Sequence, residues 1–226
     1  MVQNFKITNL SILFLLLVGL SSITGNLAQA QGHHHHVLCH LKKFLGPYPA
    51  KGSAEEAEDF AFLLYLQEVR TPEQCAEAAK EVHVSLETFF GGENGPLSPA
   101  EVKRLKFFLY YHFLKAGIHS TVGKQIFKRP RPYVANPALV PCIEKAKSYA
   151  YPSGHAAVAR VFARVLAKKF PERAALFLER GDAVGMNRML GGVHHPTDID
   201  AGQRLGDALT HRLFSSPEFL QKLDKL

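Results

Sequence analysis

Residues 153–169 read SGHAAVARVFARVLAKK, and the spacing inside this stretch decides the fold class. Val158, Val161, Phe162, Val165 and Leu166 recur at i, i+3, i+4, i+7 and i+8, the repeat of one helix face turned to a core. Ser153 stands where an N-cap belongs, and Arg160, Arg164, Lys168 and Lys169 fall on the opposite face. The same grammar extends upstream. Ser53-x-x-Glu56, Thr71-Pro72-Glu73-Gln74 and Ser98-Pro99-Ala100-Glu101 each put a capping hydroxyl three residues before Glu or Gln, and two add Pro at the first helical position. Three helices are predicted after them. The first carries Phe60, Leu63 and Leu64 at helical spacing, and the third runs from about Pro99 to Phe127 through the dense apolar stretch Phe107 to Leu114, read as a core helix. Lys103, Arg104, Lys106 and Lys115 bracket that stretch too closely for a membrane span. Downstream, a helix is predicted from Pro171 to about Leu190 and a long last one from near Pro196. Five prolines between residues 130 and 152 mark an irregular connection. No segment alternates as a strand, so the expectation is all-α: a single-domain helical bundle.

The 226 residues are 46% hydrophobic and 21% charged, which suits one domain with a sizeable core. Residues 1–30 differ in kind. Lys6 is their only charge, an apolar run covers Ile7 to Leu20, and Ala28-Gln29-Ala30 offers a small-residue cleavage site. They read as a secretory signal peptide, which predicts a periplasmic or secreted protein with no stable membrane anchor after cleavage. Residues 31–52 are then an extended or disordered mature N-terminus and 53–226 the helical domain. Cleavage lowers the formal charge from +7 to +6, a balance that favours anionic ligands. With no zinc module and no RNA-binding signature, nucleic acid is not expected as a partner. Cys39, Cys75 and Cys142 allow one disulfide in any of three pairings, or buried thiols that never pair. His33 to His36, with His40, form either a native transition-metal-binding tract or an expression tag. Neither reading bears on the chemistry.

Three short segments carry that chemistry: Lys124-x6-Arg131-Pro132, Pro152-Ser153-Gly154-His155 and Arg188-x5-His194-x3-Asp198. Taken singly they have plain explanations in a basic loop, a capped helix and a loop histidine. Together they supply three cations, a helix N-terminus, two histidines and a carboxylate. Gly154 lets a ligand approach the free N–H groups of the first turn, and such helix ends bind phosphate. Arg131 offers a planar donor fork where Lys124 offers a point charge. Glycines 191 and 192 end one helix and Pro196 starts the next, which leaves His194 on the connection, with Asp198 four residues on and able to accept its Nδ1 proton. Nε2 is then a free nucleophile. His195, three residues from Asp198, is taken as a neighbour, and Arg129, out of register with Lys124, as part of the basic loop.

As a set these segments resemble the signature of the phosphatidic-acid-phosphatase type 2 and vanadium haloperoxidase superfamily, and most of all its class A bacterial nonspecific acid phosphatases. The likeness covers roughly residues 105–206 and takes in Ser148-Tyr149-Ala150-Tyr151 and Glu179-Arg180-Gly181-Asp182. Asn187 departs from it, standing where the family usually has Ser. Residues 31–100 match only in being helical and are left as candidates for substrate specificity.

The resemblance implies a helical bundle of the acid phosphatase type, with the site at one end, acting on small phosphorylated substrates and inhibited by vanadate or phosphate analogues. His194 would attack phosphorus, Asp198 orient its ring, and His155 protonate the leaving oxygen and then activate water. Lys124, Arg131, Ser153, Gly154 and Arg188 would hold the phosphoryl oxygens. No metal and no cofactor are expected, and a bell-shaped rate profile is expected at roughly pH 5 to 6.5. Rival readings are a lipid or polyprenyl diphosphate phosphatase, a vanadate-dependent haloperoxidase and a non-enzymatic phosphate binder. A homo-oligomer is left open.

Overall fold

The computed structural model describes residues 40–92 and 95–226. The signal-peptide expectation, the His33 to His36 tract and Cys39 lie outside the described residues. The chain divides into a unit over residues 1–44, of which 40–44 are described and helical, and a unit over Leu45–Leu226. The second carries everything that follows.

Its helices are α1 (Ala54–Val69), α2 (Pro72–Lys80), α3 (Leu86–Phe90), α4 (Pro99–Phe127), α5 (Pro132–Ala135), α6 (Gly154–Lys169), α7 (Ala174–Leu190), α8 (Pro196–Phe214) and α9 (Pro217–Asp224), with a 3-10 turn at Pro171–Arg173 before α7. No strand occurs among the described residues, and the fold is all-α. Side chains write the helix starts. Ser53, Thr71 and Ser98 each accept the N–H three residues on, and Gln74 and Glu101 reach back to the backbone N–H of Thr71 and Ser98. Such caps satisfy donors that helix geometry orphans.

Helix α6 is the axle, packed against α4, α7 and α8. Its Val158, Val161, Phe162, Val165 and Leu166 are all buried, and they meet Leu105 and Leu109 of α4 and Phe177 and Val184 of α7 in one core. The helices cross closely because small residues sit at the crossings. A Cβ at Gly181 would stand 2.7 Å from Cβ of Ala163, and one at Gly202 would stand 2.4 Å from the Ser153 carbonyl. The polar face of α6 is knitted across as well: Arg160 pairs with Asp207 of α8 and Asp182 of α7, and Arg164 with Asp207.

The structure corrects the reading of two apolar stretches and of the last helix, and it resolves the cysteine pairing. The run Phe107 to Leu114 is only half core. Leu109 is buried and Phe108 and Phe113 pack on the core, but Phe107 is 80% exposed and Tyr110, Tyr111 and Leu114 also face out. Apolar residues all round a helix do not specify which face the neighbours will cover. Leu64 likewise points outward while Leu63 is buried. The final helical stretch is two helices, because Ser216 caps a new start at Pro217. Of the three cysteine pairings, the disulfide formed is Cys75–Cys142, which ties α2 to the proline-rich connection.

Candidate active site

The three segments come together where α4, α6, α7 and α8 end or begin. Lys124 lies on the last turn of α4, and Lys128 closes that helix in the left-handed region at φ 50°, which turns the chain inward. Arg129 and Arg131 are buried as a result. Ser153 caps α6, Arg188 is on the last turn of α7, and Asp198 is in the first turn of α8. The segments are stitched to one another through backbone groups. Nζ of Lys124 donates to the carbonyls of Tyr149 and Ala150 at 2.8 Å, and the Ser153 N–H donates to the Asp198 carbonyl at 2.9 Å.

His194 and Asp198 form the centre. Nδ1 of His194 is 3.0 Å from Oδ2 of Asp198, and a carboxylate can only accept, so Nδ1 carries the proton and Nε2 the lone pair. Both side chains are buried. Burial pushes the His194 pKa well below its ordinary value, the Arg131 charge pushes it further, and Asp198 only partly opposes them. The ring is therefore held toward its neutral form, with Nε2 unprotonated. Burial alone would raise Asp198, but the hydrogen bond from His194 and the charge of Arg129 hold it well below the usual carboxylate range. Asp198 Oδ2 also accepts the His195 N–H, which locks the carboxylate to the start of its own helix.

The cationic side chains are largely committed to the protein. Arg131 donates from Nε and Nη2 to the carbonyl and hydroxyl of Ser148, and from Nη1 to the Val193 carbonyl at 2.7 Å and to Nε2 of His194 at 2.9 Å. Burial, then the neighbouring Arg131 charge, lowers the Lys124 pKa well below its ordinary value. Ser153 Oγ accepts from Ala156 N–H and the Ser153 carbonyl from Ala157 N–H, while the N–H groups of Gly154 and His155 have no partner among the described residues. Two backbone donors at a helix N-terminus fit an anion. Arg188 donates through Nη2 to the Ala78 carbonyl, and its Nε is buried without a hydrogen-bond partner.

His155 takes a different set of neighbours. Its Nε2 faces the carbonyls of Glu81 and Val82 at 3.1 and 3.2 Å, so Nε2 bears a proton. Burial first and the Arg188 charge second push its pKa down to about 4. The rate profile expected between pH 5 and 6.5 needs an imidazolium there, which these surroundings disfavour until an anion arrives to offset Arg188 and Lys124.

Several residues that shape the site were passed over in the sequence. Arg129 is no solvated loop residue: it bridges Asp59 of α1 at 2.7 Å and Asp198 Oδ1 at 2.8 Å, and it donates to Thr197 Oγ1. Thr197 in turn donates to Asp59. Asp59 and Glu81 lie far upstream of the three segments, and nothing local marks them. Ser148 was in view only as part of a matched tetrapeptide. Among the described residues no group of three or more His, Cys, Asp and Glu side chains is placed to hold a metal ion.

Four cations, Lys124, Arg129, Arg131 and Arg188, are buried around the His194–Asp198 pair, a charge balance suited to an anion, and comparison with known proteins gives the family. Residues 105–221 match the family model of the PAP2 superfamily, and the chain belongs to that superfamily. It is 28% identical over 191 residues to the non-specific acid phosphatase of Providencia stuartii, covering 80% of this chain and 77% of that one. To the non-specific acid phosphatase of Salmonella typhimurium it is 30% identical over 159 residues, covering 66% of this chain and 64% of that one. Among solved structures, a transmembrane PAP2-type phosphatidylglycerolphosphate phosphatase from Bacillus subtilis aligns at a TM-score of 0.54 with 18% identity, over 81% of this chain and 94% of that chain, a likeness of fold. Among the described residues no helix of this chain is long and apolar enough to cross a membrane.

Proposed function

We propose that the protein is a periplasmic or secreted acid phosphatase that hydrolyses phosphate monoesters through a phosphohistidine, without a metal ion. The observation that carries this reading is the fixed tautomer of His194, whose Nδ1 proton is held by Asp198 and whose Nε2 lone pair faces the cationic cluster. The acid phosphatase relatives from Providencia and Salmonella support the substrate class.

Nε2 of His194 attacks phosphorus as the bond to the leaving oxygen breaks, and that oxygen takes a proton from the His155 imidazolium. Asp198 stabilises the positive charge that spreads onto the His194 ring. His155, now neutral, removes a proton from water, the resulting oxygen attacks phosphorus, and the P–N bond breaks with its electron pair returning to Nε2. Lys124, Arg131 and Arg188, with the Ser153 hydroxyl and the N–H groups of Gly154 and His155, hold the three equatorial oxygens. General acid help supplies roughly 10² to 10⁴-fold, and the donors around the phosphoryl group supply much of the rest.

The test is hydrolysis of p-nitrophenyl phosphate at mildly acidic pH in excess EDTA by the purified mature chain, beside His194→Ala prepared identically. Turnover that survives EDTA and vanishes in the variant is the expected result. Turnover lost on chelation and restored by a divalent cation, or retained in the variant, would overturn the reading.

A further inference from the structure

Glu81 is the capping residue just beyond α2, far outside the residues 105–221 that match the family model. It is nonetheless buried against the phosphoryl-binding cluster. Its Oε1 accepts from Arg180, and its Oε2 lies 3.8 Å from Nη2 of Arg188 with no hydrogen-bond partner of its own. Its carbonyl, with that of Val82, faces Nε2 of His155. The same turn of backbone supplies the Ala78 carbonyl that anchors Arg188.

The 3.8 Å separation is too long for a hydrogen bond and short enough for a strong ion pair at low dielectric. The carboxylate therefore neutralises Arg188 without clamping it. Nη2 is fixed by the Ala78 carbonyl instead, which leaves the buried Nε–H of Arg188 uncommitted. A phosphoryl group that reaches that N–H must share the guanidinium charge with Glu81.

We infer that Glu81 is a built-in counter-charge that, acting through Arg188, weakens the hold of the site on phosphate and so speeds release of the product. The inference rests on the phosphatase reading and deepens it. Glu81 is in this sense a positioning residue, since it needs no contact with the substrate. It also gives the upstream helices a definite part in the site: α2 brings the carboxylate, and the Cys75–Cys142 disulfide fastens α2 one helical turn before Ala78.

The experiment measures binding of inorganic phosphate by calorimetry, and phosphate inhibition of p-nitrophenyl phosphate hydrolysis, for the mature chain and three variants. Glu81→Gln keeps the shape and an acceptor for Arg180 while removing the charge. It is expected to bind phosphate tighter by roughly fivefold or more, with a lower kcat limited by product release. Glu81→Ala, which needs no fit for an amide, should shift affinity in the same direction. Glu81→Asp keeps the charge and should stay within roughly twofold of the parent. A purely structural Glu81 would give the opposite sign, with weaker phosphate binding in both neutral variants, and that result or an unchanged affinity overturns the inference. His194→Ala separates the two readings. If it retains turnover the phosphatase mechanism falls, whereas if it is dead and Glu81→Gln does not tighten phosphate, the inference alone falls.

Discussion

Nη1 of Arg131 lies 2.9 Å from Nε2 of His194, so the lone pair assigned to attack phosphorus is already held by a guanidinium that also binds Ser148 and Val193. A phosphoryl oxygen arriving between the two must take that donor from the histidine, and binding and release of the nucleophile become one event. Arg131→Lys keeps the charge but loses the planar fork that makes four bonds at once. It is expected to lower kcat for p-nitrophenyl phosphate roughly 10²-fold, on the scale seen when one oxyanion-stabilising donor is removed. Steady-state kinetics on the folded variant check this, and a kcat within a factor of a few of the parent would contradict it.

Burial, and after it the Arg188 charge, disfavour the His155 imidazolium and push its pKa down to about 4. Its fully charged form is therefore present only below that value in the unliganded protein. A bound phosphate or vanadate places negative charge beside it and must move the pKa upward. The alkaline limb of kcat should accordingly lie at higher pH than that of kcat/KM. In NMR, the His155 ring signal should titrate near 4 alone and at clearly higher pH with vanadate bound. Identical titrations with and without vanadate would remove His155 from the acid role.

Asp59, Arg129 and Asp198 form a buried chain of charges in which Arg129 touches both carboxylates. Removing one member leaves an uncompensated buried charge, which costs about 3 to 5 kcal/mol. Asp59→Asn should therefore lower the stability measured by denaturant unfolding by about 3 kcal/mol. It should also lower kcat with little change in KM, because it loosens the carboxylate that orients His194 without touching the phosphoryl donors.

The Cys75–Cys142 disulfide spans 67 residues of sequence. Chain-entropy reasoning for a loop of that size gives about 4 kcal/mol of stabilisation. Cys75→Ser with Cys142→Ser should lower the unfolding midpoint to match, and dithiothreitol should do the same to the parent chain while leaving the double variant unmoved.

What could be read from the sequence follows how local each signal is. The capping boxes at Thr71 and Ser98, the helix start at Ser153 and the four-residue step from His194 to Asp198 are contacts between near neighbours, so spacing alone exposes them. Asp59 reaches Arg129 across 70 residues and Glu81 reaches Arg180 across 99, and no local pattern marks either carboxylate. Arg129 was misjudged for a related reason. Among Lys128, Arg129 and Arg131 it looks like one charge of a solvated loop, and only the left-handed turn at Lys128 and the distant Asp59 bury it. Phe107 to Leu114 shows the converse, since an apolar run is dense enough to predict a helix but silent about which side the rest of the chain covers.

The proposed mechanism requires His194 as nucleophile, and the direct measurement is mass spectrometry of the protein quenched during turnover under alkaline conditions that preserve phosphohistidine. The expected result is a single phosphoryl group on His194, in greater amount in His155→Ala with a good leaving group, where hydrolysis of the adduct is slowed more than its formation. A phosphoryl group on any other residue, or none on His194 in either protein while p-nitrophenol is being released, would contradict the mechanism.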